Sequence, residues 1–175
     1  YYAFGMKKKN AIYQLMDCFT LFYFKFLKSQ PTDEHFWTNQ INTPLVNTWM
    51  GLAFERVCME HIEQIKVKLG ISGVLTEVNS WYCKADLDNG VFGSQIDMLI
   101  VRKDQVINLC EMKYSQSEYT ITEKVDRNIR NKISDLITIS GTKYAIYPTI
   151  ITTYGLVENS YSQEVQSVVT MDDLF

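Results

Sequence analysis

The most informative stretch of the chain is IDMLIVRKDQVINLCEMKYS, residues 96–115, which reads as two apolar strands joined by a charged turn, RKD. Three further charged residues interrupt the strands: Asp97 lies in the first, and Glu111 and Lys113 close the second. A charge in a half-buried strand costs free energy unless it is paired or hydrogen-bonded. The three residues therefore predict a polar site at one end of a β-hairpin.

The geometry of this predicted hairpin brings the charged residues together. A turn about Asp104 places residues equally distant from it opposite each other, so Asp97 faces Glu111. Directly opposed Cβ atoms of antiparallel strands lie about 4.5 to 5.5 Å apart, and side-chain alternation puts Lys113 on the same face as Glu111. Two carboxylates at that distance repel each other unless something positive lies between them. The pattern predicts that acid, acid and base converge on one surface, provided that the register does not slip by one residue.

A long helix is predicted before the hairpin, from about Leu45 to Leu69, with the GISG turn as its stop signal. Its buried stripe recurs every three or four residues and consists of Leu52, Glu55, Cys58 or Met59, Ile62, Ile65 and Leu69. Glu55 is the anomaly, because a carboxylate in an apolar contact needs a partner. It joins Asp97 and Glu111 if this helix packs on the same face of the hairpin.

The order of the remaining elements defines a fold class. Residues 74–85 favour a strand before the hairpin, and a helix follows the hairpin. Residues 143–155 predict another strand pair, or one strand interrupted by Pro148, and residues 162–171 predict a last strand before a frayed tail. The order helix, three strands, helix and one or two strands indicates an α/β (α+β) domain over residues 41–175.

Residues 1–40 read as an extension of that domain. A short strand is predicted over 10–16, and Asp17 caps a helix that runs to about Ser29. The polar segment 29–40 marks the boundary. The helix carries an aromatic face predicted to pack against a neighbouring domain, formed by Phe19, Phe22, Tyr23 and Phe26.

Composition bounds the function classes. The chain has 175 residues, 46% of them hydrophobic, which suits one ordinary globular domain. Its net charge of −3 excludes an overall positive field for nucleic acid, so any such contact needs a local patch. The four cysteines form no CxxC pair and are expected to be reduced thiols of a cytoplasmic protein. No apolar run reaches the roughly 20 residues of a membrane span.

At these charged residues the chain resembles the PD-(D/E)XK superfamily of restriction-endonuclease-like phosphodiesterases. The likeness rests on Asp97 in SQIDMLIV, Glu111 and Lys113 in LCEMKYS, and Glu55 in WMGLAFERV, although no literal PD is present. The family core is helix, three strands, helix and strand, a mixed central sheet flanked by helices. The resemblance implies that Asp97, Glu111 and the carbonyl of Met112 bind Mg²⁺ or Mn²⁺, that Glu55 acts through the ion's water shell, and that Lys113 serves the attacking water.

A narrower likeness concerns YQLMDCFTLFYFKFL followed by TPLVNTWMGLAFE. These segments resemble the C-terminal part of a group of prokaryotic AAA-type ATPases, in which an ATPase domain and a winged helix precede a nuclease-like domain. The likeness implies that residues 1–16 end the wing and that the aromatic helix links it to the nuclease-like domain. The chain opens YYAFGMKKKN without an initiator Met, so we expect a fragment of a longer protein. No GxxxxGK[ST] motif occurs, so ATP binding is expected only outside these residues.

The helix after the hairpin is expected to begin in a capping box of Thr120 and Glu123 and to end at Gly141. This helix and the loop before it carry several polar and basic side chains, which can contact phosphates or can form an ordinary solvated face. They are Ser115, Gln116, Lys124, Arg127, Arg130 and Lys132.

Two hypotheses follow for the function. The first is a metal-dependent DNA phosphodiesterase at the end of an ATPase, with RNA as an alternative substrate and a homo-oligomer as a plausible assembly. The second is a catalytically silent module of the same fold that binds DNA, oligomerises or regulates the ATPase. The acidic net charge favours the second, and the complete set of Asp97, Glu111 and Lys113 favours the first.

Overall fold

The computed structural model of the protein describes residues 15–28 and 34–175. Most of the strand predicted over 10–16, and the wing assigned to residues 1–16, therefore lie outside the described residues. In the described part of the chain, no helix combines the length and the apolar character needed to cross a membrane.

A five-stranded mixed sheet forms the centre, in the spatial order β1-β2-β3-β4-β5. The first three strands are antiparallel neighbours, and β4 and β5 continue the sheet parallel to β3. The bounds are β1 Thr76–Cys83, β2 Ser94–Arg102, β3 Val106–Lys113, β4 Ala145–Thr152 and β5 Ser167–Thr170. The predicted mixed α/β (α+β) architecture, a central sheet flanked by helices, is confirmed.

The hairpin of β2 and β3 has the predicted register. Its pairs run from Met98 with Cys110 to Val101 with Ile107, so residues equally distant from Asp104 face each other. Gln105 adopts a positive φ of 67° in the turn, which lets the chain reverse within few residues. A short turn leaves little freedom for a register slip, and this is why the sequence pattern was sufficient.

Helices cover both faces of the sheet. Helices α3 (Pro44–Glu60) and α4 (Ile62–Lys68) contribute to one buried cluster with the sheet, and helix α5 (Glu123–Ser140) contributes to a second cluster that lines the other face. The single long helix predicted from Leu45 to Leu69 is wrong at one point, because it breaks at His61, which has φ −108° and ψ 31°. The His61 ring Nδ1 lies 2.8 Å from the carbonyl oxygen of Val57 and helps to satisfy the end of α3.

The buried stripe of α3 also differs from the prediction. Phe54 and Cys58 enter the core, whereas Leu52 is 46% exposed. Cys58, Cys83 and Cys110 are buried, and all four cysteines are free thiols, as predicted. Burial raises the pKa of Cys58 to about 12, so this thiol stays protonated and acts as a small apolar side chain.

Helix α5 ends as predicted and begins slightly later. Thr122, rather than Thr120, is the N-cap, and its hydroxyl accepts from the backbone N–H of Val125 at 3.4 Å. At the other end Gly141 adopts φ 62°, the left-handed conformation that closes many helices.

Residues 143–155, for which either a strand pair or a single strand was predicted, form the single strand β4. Pro148 lies inside β4, and its carbonyl accepts from Gln166 N at 3.0 Å. In a strand the N–H and the carbonyl of one residue point to the same side, so an N–H at position 148 would point toward β5. The β4–β5 pairs begin only at Thr149, so the proline costs no hydrogen bond of the sheet. The tail is ordered rather than frayed, because residues 171–174 form a 3₁₀ turn that buries Leu174.

The aromatic helix of the extension packs on α3 through only half of its predicted face. It consists of α1 (Cys18–Phe22), capped by Asp17 as predicted, and a π-helical continuation over Tyr23–Leu27. Helix α2 (Phe36–Gln40) follows, where the sequence predicted only a polar connector. The rings that contact one another are Phe22, Phe26, Trp37 and Trp49, whereas Phe19 and Tyr23 are exposed.

Candidate active site

The end of β3 carries a buried ionic cluster. Glu111 is 6% exposed, and its two carboxylate oxygens contact different ammonium groups. Lys113 Nζ lies 2.6 Å from Oε1, and Lys132 Nζ lies 2.6 Å from Oε2. We call Glu111, Lys113 and Lys132 the Glu111 cluster. Glu111 and Lys113 share one face of β3, as predicted, and Lys132 is an additional member.

Lys132 belongs to the site because of its position on α5. It lies three residues after Ile129 and four before Leu136, and all three side chains are buried. The sequence analysis grouped Lys132 with basic residues that face solvent or phosphate, and this assignment is wrong. The signal was its helical spacing from two apolar residues, which places it on the face of α5 that packs on the sheet.

Opposing effects determine the charge state of the cluster. Burial raises the pKa of Glu111, but Lys113 and Lys132 outweigh it, so the pKa lies below its ordinary value. Burial lowers the pKa of Lys113, but the adjacent carboxylate outweighs it, so that pKa lies above its ordinary value. Glu111 and Lys113 are therefore both ionised near neutral pH.

Asp97 lies where β2 and β3 part. The paired residues of the two strands end at Met98 and Cys110, so Asp97 and Glu111 stand one position beyond the last pair. The register is the predicted one, but the predicted direct pairing of the two acids is not formed.

A β-bulge sets the surroundings of Asp97. The β1–β2 register shifts by one residue between Asn79 and Trp81, and the extra residue lies in β2 at Asp97-Met98. Bulges bend a strand and redirect its side chains, and they are common beside functional sites. The partly exposed Asp97 carboxylate accepts a hydrogen bond from Gln95 Nε2 at 2.9 Å. Nothing in the sequence marked this bulge.

Glu55 reaches the same end of the sheet from α3. It is partly buried, and burial raises its pKa, with a further contribution from the negative charge of Asp97. The charge of Lys113 acts in the opposite direction, and Glu111 adds a smaller repulsion. Glu55 thus lies within electrostatic range of Asp97, Glu111 and Lys113. The predicted shared face is wrong, however, because α3 packs on the side of β3 that carries Cys110 and Met112, whereas Glu111 points to α5.

Tyr119 is a neighbour that the sequence analysis missed. Burial raises the pKa of its phenol, Lys113 lowers it, and Glu111 raises it, so the ring lies within electrostatic range of the cluster. Its backbone N–H donates to Gly155 O at 2.8 Å, which holds it beside the end of β4. A tyrosine in a loop has no sequence signature for such a role.

The four predicted nucleic-acid contacts fall into two groups. Ser115 and Gln116 have partners within the protein: Ser115 N donates to Thr153 Oγ1 at 3.0 Å, and Gln116 Nε2 donates to Asn42 Oδ1 at 2.7 Å. Lys124 and Arg127 are exposed on the first two turns of α5. Of the four, the two basic residues offer the accessible charge that a phosphate needs.

The donor set suits a hard divalent cation in its chemistry. Carboxylates of Glu55, Asp97 and Glu111, with the backbone carbonyl of Met112, are the oxygen ligands that Mg²⁺ and Mn²⁺ prefer. Among the described residues, however, no three Asp, Glu, His or Cys side chains form a group ready to hold a metal ion. Two ammonium groups lie at the Glu111 oxygens instead, so a cation that binds there competes with two lysines.

A second polar cluster lies one turn further along α5. Asp135 is fully buried, and its carboxylate accepts from Ser94 Oγ at 2.5 Å and from Phe92 N at 2.9 Å. The Cys83 thiol lies 3.8 Å from Asp135 Oδ2. We call these residues the Asp135 cluster. It ties α5 to the start of β2 and to the end of β1, and no sequence pattern predicted it.

Comparison with known proteins identifies a family without assigning an activity. Residues 22–128, more than half of the chain, match DUF234, described as archaeal and bacterial proteins of unknown function. The match spans α3, α4, the β2–β3 hairpin and the beginning of α5, and so includes Glu55, Asp97, Glu111 and Lys113. No curated protein and no solved structure gives a significant match. The chain belongs to the DUF234 family.

Proposed function

We propose that the protein is a metal-dependent phosphodiesterase that acts on DNA through the polar end of its β2–β3 hairpin. One observation carries the proposal: Lys113 pairs with the buried Glu111 at 2.6 Å, with Asp97 and Glu55 in the same electrostatic neighbourhood. Acid, acid and lysine in this order, at the end of a mixed sheet, support membership of the PD-(D/E)XK superfamily.

Each residue has a role that its surroundings support. Asp97 and Glu111, with the Met112 carbonyl, would hold Mg²⁺ or Mn²⁺, which supplies an activated water near neutral pH. Lys113 is charged, and it offsets negative charge that develops on a phosphate held beside it. Glu55, with its raised pKa, is suited to hold or accept a proton at the edge of the site.

The exposed cations of α5 provide a route for substrate. Lys124 and Arg127 lie on the same helix as Lys132, toward its N-terminus. Positive charge there, together with the positive end of the helix dipole, favours a phosphate backbone. We propose that the cellular context is the C-terminal part of a cytoplasmic AAA-type ATPase with its own winged helix. ATP would bind only in that other part of the protein.

A silent module of the same fold is the second candidate, and a specific observation favours it. Both Glu111 oxygens are held by ammonium groups, and a carboxylate neutralised in this way is a stable structural element. In that case the fold serves DNA binding, oligomerisation or control of the ATPase.

Cleavage assays separate these functions. Plasmid, single-stranded DNA and RNA are incubated with the protein and Mg²⁺ or Mn²⁺, beside Asp97→Asn and Lys113→Ala. We expect metal-dependent cleavage of DNA by the parent protein and a loss of at least about a hundredfold in each variant, because each removes a group that acts on the reacting phosphate.

The hairpin offers matched controls at its opposite end. Asp104→Asn and Lys103→Ala make the same chemical changes at exposed turn residues, and both should cleave like the parent protein. Cleavage that persists in Asp97→Asn and Lys113→Ala would place the activity elsewhere or in a contaminant. Absence of cleavage, with no heat on titration with Mn²⁺, would leave the silent module.

A further inference from the structure

Lys132 is the feature that a simple acid, acid and lysine site does not need. Lys113 already pairs with Glu111, yet α5 supplies a second ammonium to the other carboxylate oxygen. The two cations differ in their surroundings, since the Lys113 side chain is 36% exposed and the Lys132 side chain is only 11% exposed. A buried ammonium is costly unless it is paired, so Lys132 is committed to Glu111 in this structure.

With this contact, each of the two Glu111 carboxylate oxygens is already paired with an ammonium group. Three carboxylates, from Glu55, Asp97 and Glu111, share this end of the sheet with two ammonium groups. Without Lys132, three negative charges would face a single lysine in a partly buried region, and like charges repel strongly there. Lys132 thus supplies the second of the two positive charges that balance these three acids.

We propose that Lys132 is a resident counter-cation of Glu111 that yields its place to the divalent ion, so that ion binding is set by competition with this one side chain. The inference rests on the proposed function and deepens it, because it assigns control of the metal affinity to a residue outside the acid, acid and lysine set. Lys132 is a positioning residue in this scheme.

The side chain has the properties that such an exchange needs. A lysine ammonium is a compact charge on a flexible stem of four carbons, so it can leave one oxygen while its stem stays in place. An arginine would hold the carboxylate through two parallel hydrogen bonds and would resist exchange. Because Lys132 lies near the middle of the regular helix α5, its backbone is held in place and only its side chain has to move.

The test replaces the ammonium and keeps the stem. Lys132→Met is titrated with Mn²⁺ by calorimetry, beside the parent protein and Lys143→Met, which removes one exposed charge outside the site. We expect Lys132→Met to bind Mn²⁺ about tenfold more tightly than the parent, since the positive charge that competes for Glu111 is gone. Lys143→Met should match the parent. Lys132→Gln serves the same purpose if the methionine variant does not fold.

A second measurement follows the exchange without any substitution. Lysine acetylation, quantified by mass spectrometry with and without Mg²⁺, reports the accessibility of each ammonium. We expect Lys132 to react at least several times faster with Mg²⁺ present, and Lys143 to react equally in both conditions. Equal Lys132 labelling in both conditions would overturn the proposal.

The outcomes distinguish this inference from the proposed function. Metal-dependent cleavage by the parent protein, with Mn²⁺ affinity unchanged or weaker in Lys132→Met, would overturn the role of Lys132 and leave the phosphodiesterase in place. No Mn²⁺ binding by the parent or by either Lys132 variant, together with no cleavage, would overturn both.

Discussion

Two buried carboxylates, one that contacts α5 and one that belongs to it, are held by different kinds of group. Glu111 on β3 is held by the ammonium groups of Lys113 and Lys132, whereas Asp135 on α5 is held by a hydroxyl and a backbone N–H. Lys132 and Asp135 are three residues apart, so a single helix contributes a cation to one cluster and an anion to the other.

The difference concerns what each cluster can exchange. Asp135 is fully buried, and its donors belong to the protein framework around the ends of β1 and β2. The Glu111 cluster lies where two strands part, and Lys113, its outer member, is more than one-third exposed. Charged partners on flexible side chains can be replaced by another cation, but a backbone N–H cannot move. The Asp135 cluster is therefore a fixed part of the fold, whereas the Glu111 cluster keeps a partly exposed cation that another cation can replace.

The largest effect is expected when the Asp135 cluster is broken. Asp135→Ala leaves the buried Ser94 hydroxyl and the partly buried Phe92 N–H without their acceptor and creates a cavity beside them. We expect a loss of about 3 to 4 kcal/mol in the free energy of unfolding, measured by urea denaturation.

A matched variant tests the cause. Ser94→Ala removes one donor and keeps the carboxylate, so its loss should be about 1 kcal/mol. If Asp135→Ala costs no more than Ser94→Ala, the carboxylate does not hold α5 to the sheet.

A smaller effect, with a defined pH dependence, is expected at Glu111. Glu111→Gln removes the charge that compensates the buried Lys132. We expect the free energy of unfolding to fall by about 2 kcal/mol at pH 7. This is less than is usual for a fully buried ion pair, because Lys113 is partly exposed. The pKa of Glu111 is lowered in the folded protein, so its stabilisation is present above its unfolded pKa and is lost as the pH falls through the folded value.

Stability measured against pH tests this sign. The difference between the parent protein and Glu111→Gln should be largest near neutral pH and should shrink in acid. A difference that stays constant from neutral pH to about pH 3 would mean that the ion pairs contribute nothing and only the shape of the side chain matters.

The hairpin was predictable because its rules are local. Strand alternation and a short turn determine the register, so the spacing of Asp97, Glu111 and Lys113 sufficed to place them at one end of two neighbouring strands. That Glu55 lies near other charged residues was predictable because an acid in an apolar stripe needs a polar partner, but the side of the sheet that α3 covers was not.

The remaining features depend on tertiary contacts that leave no local trace. A basic residue on a helix is expected in solvent, and only the packed sheet shows that Lys132 points to Glu111. The apolar spacing continues through His61, so the break between α3 and α4 was not visible. The bulge at Asp97 contains neither Gly nor Pro, the residues that usually mark irregular strands.

The smallest effect is expected at Glu55, and its sign is opposite to that at Glu111. Burial and the charge of Asp97 raise the pKa of Glu55, so the folded protein favours its protonated form. Its stabilising contribution is present at low pH and is lost as the pH rises through the folded pKa.

Glu55→Gln should therefore gain stability relative to the parent protein between about pH 4 and pH 7, by less than about 1 kcal/mol because the side chain is partly exposed. Glu60→Gln changes an exposed acid on the same helix and should show no such trend. A loss of stability in Glu55→Gln at pH 7 would mean that Lys113 outweighs Asp97 at this position, and the three acids would then not form a site that is short of positive charge.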